Sequence, residues 1–203
     1  MQLLVKATDH QKKEFLSKPI PESIVINWFE NNITEADAYF DLSCEENISV
    51  FCIVKNKSIF VNTVITTCKE LPENCIRINA WNDFLKREIV EIALHHSQKN
   101  SAEKILNELQ WTFTIAADEP GMISARIIAM IINEAYFALE GNISSKEEID
   151  TAMKLGTNYP YGPFEWSEKI GLHRIYRLLK KLSEEDNRYQ PATLLEQELK
   201  FIA

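Results

Sequence analysis

Every glycine of this 203-residue chain, Gly121, Gly141, Gly156, Gly162 and Gly171, lies after residue 120. A turn whose backbone amides close on a phosphate needs positions without a Cβ, so the first 120 residues cannot supply the usual glycine-rich turn. The shift in composition falls at "ADEPG" and divides the chain into one domain over 1–118 and a second over 119–203. In the first, "SIVINWF", "DAYFDL", "SVFCIV", "SIFVNTVI", "CIRINAW" and "WTFTIA" are short, rich in β-branched and aromatic residues, and predict buried strands. "DHQKKEFL" and "SAEKILNELQ" predict helices between them, the latter with Ser101 as N-cap and Ile105, Leu106 and Leu109 on one face. "REIVEIALHH" suits a strand or a short helix and is read as a strand. Strands alternating with helices predict an α/β domain.

After residue 120 the apolar period becomes helical. "GMISARIIAMIINEAYFALEG" predicts a long helix stopped by Gly141, and "SSKEEIDTAMKLG" a second, capped by Ser144 or Ser145 and stopped by Gly156. "GLHRIYRLLKKLSEE" and "ATLLEQELKFI" predict two more. The net charge of -8 opposes broad attraction to nucleic acid or to an anionic membrane surface. No apolar run has the length of a membrane span, and the amino terminus does not read as a secretory leader, so the expected location is cytoplasmic. Cys44, Cys52, Cys68 and Cys75 lack CxxC spacing and a nearby histidine, and are read as buried free thiols. Asn142 opens the sequon "NIS", which carries no weight without a leader.

The stretch "IDTAMKLGTNYPYGPFEWSEKIGL" holds an acid, a helix ending in glycine, "YPxGPFE", a further acid and "GL". Through Asp150, Gly156, Tyr159, Pro160, Gly162, Pro163, Phe164, Glu165, Glu168, Gly171 and Leu172 it resembles the carboxy-terminal domain of the 3-hydroxyacyl-CoA dehydrogenase family. Asp118, Pro120, Gly121, Arg126, Asn133, Glu134 and Ala135 extend the likeness upstream, and "PENCIRINAWNDFLKREIVEIA" continues it more weakly. The resemblance implies a reduced Rossmann-like α/β domain followed by an all-α domain of the 6-phosphogluconate/3-hydroxyacyl-CoA dehydrogenase type. It also implies a homodimer through the helical domain and, for the family, hydride exchange between a 3-hydroxyacyl-CoA and NAD.

Carried over residue by residue, the family's catalytic histidine falls on Asn79, its assisting serine on Val64 and its asparagine on Ala125, while Glu91 matches the glutamate that orients the histidine. Asparagine cannot titrate as a base near neutral pH. Asn62 and Asn82 match neighbouring motif positions and are the substrate-binding candidates. The place of the glycine-rich NAD loop reads "VKATDHQKK", so no bound cofactor is expected. Glu91 is either a catalytic remnant or a structural carboxylate; His95 and His96 are either a replacement base or solvated groups at a strand end. Arg174, Arg177 and Lys181 share a helix face and either meet CoA phosphates or complement the helix dipole.

Three readings follow. The first is a catalytically degenerate family member, a binding or interaction protein for an acyl-CoA or a partner in fatty-acid metabolism. The second is an active oxidoreductase interconverting 3-hydroxyacyl-CoA and 3-oxoacyl-CoA through a rearranged NAD site. The third is a structural homodimer whose former nucleotide cleft is filled by Trp28, Trp81 and Trp111. No metal site is expected.

Overall fold

The computed structural model describes residues 1–45 and 48–202. The chain divides into two compact units, Met1–Met122 and Ile123–Ala203, where the composition shift placed the division after residue 118.

The first unit is built on β1 (Gln2–Lys6), α1 (Asp9–Ser17), β2 (Val25–Trp28), β3 (Ala38–Asp41), β4 (Ser58–Val61), β5 (Cys75–Ile78), β6 (Ile89–Leu94), α2 (Lys99–Glu108) and β7 (Thr112–Ile115). The strands form one sheet in the order β2-β1-β3-β4-β5-β6-β7, parallel throughout except where β6 runs against β5. The inner strands "AYFD", "SIFV" and "CIRI" are buried at every position, as strands covered on both faces must be, while β2 and β7 at the edges are half exposed.

Period-two alternation sorts the side chains into two layers. Leu3, Val5, Phe40, Phe60, Ile76 and Ile78 join Phe15 of α1 and Leu106 of α2 in one core. Phe15 meets the rings of Trp28, Phe40 and Trp111 edge-on there. Leu4, Tyr39, Ile59, Val61 and Cys75 pack on the other face against Phe29, Phe51 and neighbouring loop residues. That second face lies over long connections in place of helices.

The run "QLLVK" is β1, paired between β2 and β3. "SVFCIV" is a correction: Val50–Ile53 form a 3-10 turn. Ser49 caps it by accepting the Phe51 amide (3.2 Å), and only Phe51 of the four is buried, which defeats strand alternation. "REIVEIALHH" is indeed the strand β6. Ser101 is not an N-cap, because α2 begins two residues earlier, at Lys99, with Gln98 as its N-cap.

The second unit contains α3 (Ser124–Glu140), α4 (Lys146–Thr157), α5 (Pro163–Ile170), α6 (Leu172–Ser183) and α7 (Thr193–Ile202). Gly141 closes α3 as expected. Ser145 opens α4 with a capping box through Glu148. The α4 stop moves from Gly156 to Asn158, whose φ of 56° supplies the left-handed cap. Ile128, Ala129, Ile132 and Tyr136 line a buried face of α3, which packs against α5, α6 and α7. Leu172, Ile175, Leu179 and Leu182 do the same for α6. Among the described residues no helix is long and apolar enough to cross a membrane.

Candidate functional site

In a doubly wound sheet, ligands enter at the carboxyl ends of the strands where strand order reverses, here between β1 and β3. The chain's own side chains bridge this point. Thr8 and Gln11 form a reciprocal capping box: the Thr8 hydroxyl accepts the Gln11 amide (3.3 Å), and Gln11 Oε1 accepts the Thr8 amide (3.1 Å). Gln11 Nε2 then donates to the carbonyls of Leu42 and of Ala80, the latter at 3.0 Å. Lys6 Nζ lies 3.4 Å from Asp41 Oδ2. The fully buried Asp41 also accepts from the hydroxyls of Ser43 (3.1 Å) and Ser49 (2.8 Å). This turn does not fit a dinucleotide pyrophosphate. It has no glycine, its Gln11 amide is spent on Thr8, and exposed Asp9 adds a negative charge in the first helical turn.

The structure brings Asn79 and Glu91 together. Pairing of Ile78 with Ile92 puts Asn79 opposite Glu91, and the Asn79 amide donates to the Glu91 carbonyl (3.0 Å). Both residues are buried. Asn79 Oδ1 accepts the Trp81 amide (3.4 Å), whereas its Nδ2 is buried without a hydrogen-bond partner among the described residues. Asn62 is spent on backbone: Nδ2 donates to the Leu42 carbonyl (2.9 Å) and Oδ1 accepts the Ala80 amide (3.0 Å). Val64 is buried, its amide held by Glu45 Oε1 (3.0 Å) and its carbonyl by Arg77 (2.8 Å). Asn82 is half-buried beside Asp83.

Several groups here were missed in the sequence. Glu45 is buried and accepts the indole N–H of the fully buried Trp81 (2.6 Å). Arg77, the one charge inside "CIRINAW", is fully buried; it donates to Asp118 (2.7 Å) and to the carbonyls of Thr63, Val64 and Glu119. A lone arginine in an apolar strand was the available signal for such a partner. Partial burial raises the Asp118 pKa, but the Cys68 amide and Arg77 outweigh it and hold the carboxyl below its ordinary value. Burial pushes the Cys68 thiol up to about 12, and raises Cys44 and Cys75 further, so these thiols are poor nucleophiles; Cys52 is half-buried. His95 Nε2 lies 2.8 Å from the Cys68 carbonyl, while His96 is exposed.

The proline-rich turn of the second unit holds two helices together. Buried Asp150 of α4 accepts the amides of Phe164 (2.8 Å) and Glu165 (3.1 Å), capping α5 from a distance. A Cβ on Gly162 would lie 2.3 Å from Asp150 Oδ1. Asn133 clamps α3 to the segment before α7, donating to the Gln190 carbonyl and accepting the Ala192 amide, both at 2.9 Å. Ala125 is buried on α3. Arg174 donates to the Ile170 carbonyl (3.0 Å), Lys181 pairs with Glu184 (3.0 Å) and Arg177 is exposed.

Residues 121–201 match the family model described as 3-hydroxyacyl-CoA dehydrogenase, C-terminal domain. The helical unit is similar to the carboxy-terminal domain of the 3-hydroxyacyl-CoA dehydrogenase family. The chain is 42% identical over 121 residues to the 3-hydroxyadipyl-CoA dehydrogenase of Escherichia coli (strain K12), covering 57% of this chain and 26% of that one. It is 32% identical over 139 residues to the 3-hydroxybutyryl-CoA dehydrogenase of Bradyrhizobium diazoefficiens, covering 66% and 47%. The chain thus spans about a quarter and about half of the length of these curated relatives. The crystal structure of (S)-3-hydroxybutyryl-CoA dehydrogenase from Ralstonia eutropha aligns over 98% of this chain and 93% of its own, with a TM-score of 0.75 at 18% identity, a likeness of fold. The protein is therefore 3-hydroxyacyl-CoA dehydrogenase-like, with a Rossmann-like sheet and a helical C-terminal region.

Proposed function

We propose that this 3-hydroxyacyl-CoA dehydrogenase-like protein binds an acyl-CoA, or a partner of fatty-acid metabolism, without NAD-dependent turnover. The observation that carries the reading is Asn79 opposite Glu91. An amide offers a hydrogen bond, through the unpartnered Nδ2, but takes no proton from a substrate hydroxyl. With an amide at that place, Glu91 has no imidazole at position 79 to orient. The side-chain bridge from Gln11 to the carbonyls of Leu42 and Ala80 supports the same reading from the cofactor side.

The protein acts as a homodimer through its helical unit. Support comes from an apolar groove of about 540 Å³ lined by Ile127, Met130, Ile131, Ala138, Ile149 and Met153, with Ile127 48% exposed.

The test is thermal unfolding of the chain with NAD, NADH and acetoacetyl-CoA added separately, alongside an assay of acetoacetyl-CoA reduction by NADH. The expected result is a saturable rise in Tm with acetoacetyl-CoA, no rise with either nucleotide, and no turnover. A saturable rise with NADH together with turnover would instead establish an active oxidoreductase.

A further inference from the structure

We propose that His10, Glu14 and Asp83 form a binding site for a divalent transition-metal ion of the Zn²⁺ class, on the first sheet unit. His10 and Glu14 stand at i and i+4 on α1, one above the other, with His10 Nε2 2.7 Å from Glu14 Oε1. Asp83 comes from the β5–β6 connection and donates its amide to the same Glu14 oxygen (2.5 Å). One ligand atom from each of the three residues lies within 4.8 Å of the others. Zinc ligands in a tetrahedral site lie about 3.4 Å apart, and the half-exposed His10 ring has room to open its 2.7 Å contact with Glu14 to that spacing.

A second observation points to a cation. Glu14 is only 4% exposed, yet its other oxygen, Oε2, is buried without a hydrogen-bond partner among the described residues. An unfilled carboxylate oxygen in a buried position is costly, and a divalent ion there offsets that cost directly. Asp83 adopts a φ of 72°, in the left-handed region, and one of its carboxylate oxygens lies within 4.8 Å of the His10 and Glu14 ligand atoms. Lys86 pairs with Asp83 Oδ1 at the edge of the cluster. One imidazole nitrogen with carboxylate oxygens suits zinc, cobalt or nickel better than magnesium or calcium, which require more oxygen ligands.

The experiment dialyses the full chain against zinc chloride, measures bound metal by elemental analysis, and titrates Zn²⁺ calorimetrically into chain stripped with chelator. One equivalent is expected, with a zinc-dependent rise in Tm. Exchange of an outer-shell partner costs metal sites about 10- to 100-fold in affinity, so loss of a direct ligand in His10→Ala should weaken binding at least tenfold. His10 is half exposed, so this variant keeps the fold; Glu14→Gln is the buried counterpart, checked by circular dichroism. X-ray absorption of the loaded chain should show nitrogen and oxygen neighbours and no sulfur. Absence of stoichiometric uptake, unchanged affinity in folded His10→Ala, or a sulfur shell from the cysteines would each overturn the site.

Discussion

Asp150 and Gly162 compete for the same few ångströms, which explains at the level of single residues why "GPFE" follows an acid twelve positions earlier. The carboxylate must reach two amides at the start of α5, and only a residue without a Cβ leaves it room. Gly162→Ala forces the two apart and should destabilise the chain by about 1–3 kcal/mol, read from urea unfolding. The effect should largely vanish in an Asp150→Ala background, where the clash is gone. Asn79 makes a different kind of residue-scale prediction. Asn79→His restores an imidazole opposite Glu91, yet acetoacetyl-CoA reduction should stay at background, because the β1–α1 turn still does not fit a pyrophosphate. Measurable NADH oxidation by that variant would show that the asparagine alone had silenced the enzyme.

At the scale of elements, the end of β5, the β4–β5 connection and the segment before α3 are tied by Arg77 and Asp118. The folded-state pKa of Asp118 lies below its ordinary 3.8. Its stabilising contribution is therefore complete above that value and is lost as pH falls through the folded pKa. Urea midpoints measured from pH 5 downward should fall more steeply below about pH 4 in the native chain than in Asp118→Asn, which carries no titrating carboxyl there. At pH 7 the substitution should cost no more than about 3 kcal/mol, since Arg77 keeps three carbonyl partners. Element type was largely legible, because "SIFV", "CIRI" and "REIVEIALHH" carry their burial in their composition. Element ends were less so. Asn158, not Gly156, stops α4, since the left-handed cap is fixed by where the following turn must go. "SVFCIV" has strand composition but turns, because Ser49 reaches both the Phe51 amide and Asp41.

For the whole molecule, the proposed homodimer rests on an apolar surface that a charge should break. Ile127→Glu puts a carboxylate in the helical groove and should shift the sedimentation of the full chain from dimer to monomer, with little change in helix content. A native chain that sediments as a monomer at micromolar concentration would remove the dimer from the account. The candidate site was legible in position but not in use: Asn79 and Glu91 were found from the motif, whereas Asn62, expected to meet substrate, has its amide engaged by Leu42 and Ala80.

What the sequence determined by itself was local: the lineage of the helical unit, the division near "ADEPG", and the lack of a glycine cradle. These depend on residue type at a given spacing, and spacing survives without knowledge of the fold. What only the tertiary structure decided was which groups fill the places left open. Gln11 bonds carbonyls 31 and 69 residues away, Trp81 meets a glutamate 36 residues earlier, and Glu14 meets Asp83 across 69. Such partners are set by strand order and register, and a buried polar group takes whichever partner the topology brings within hydrogen-bond reach.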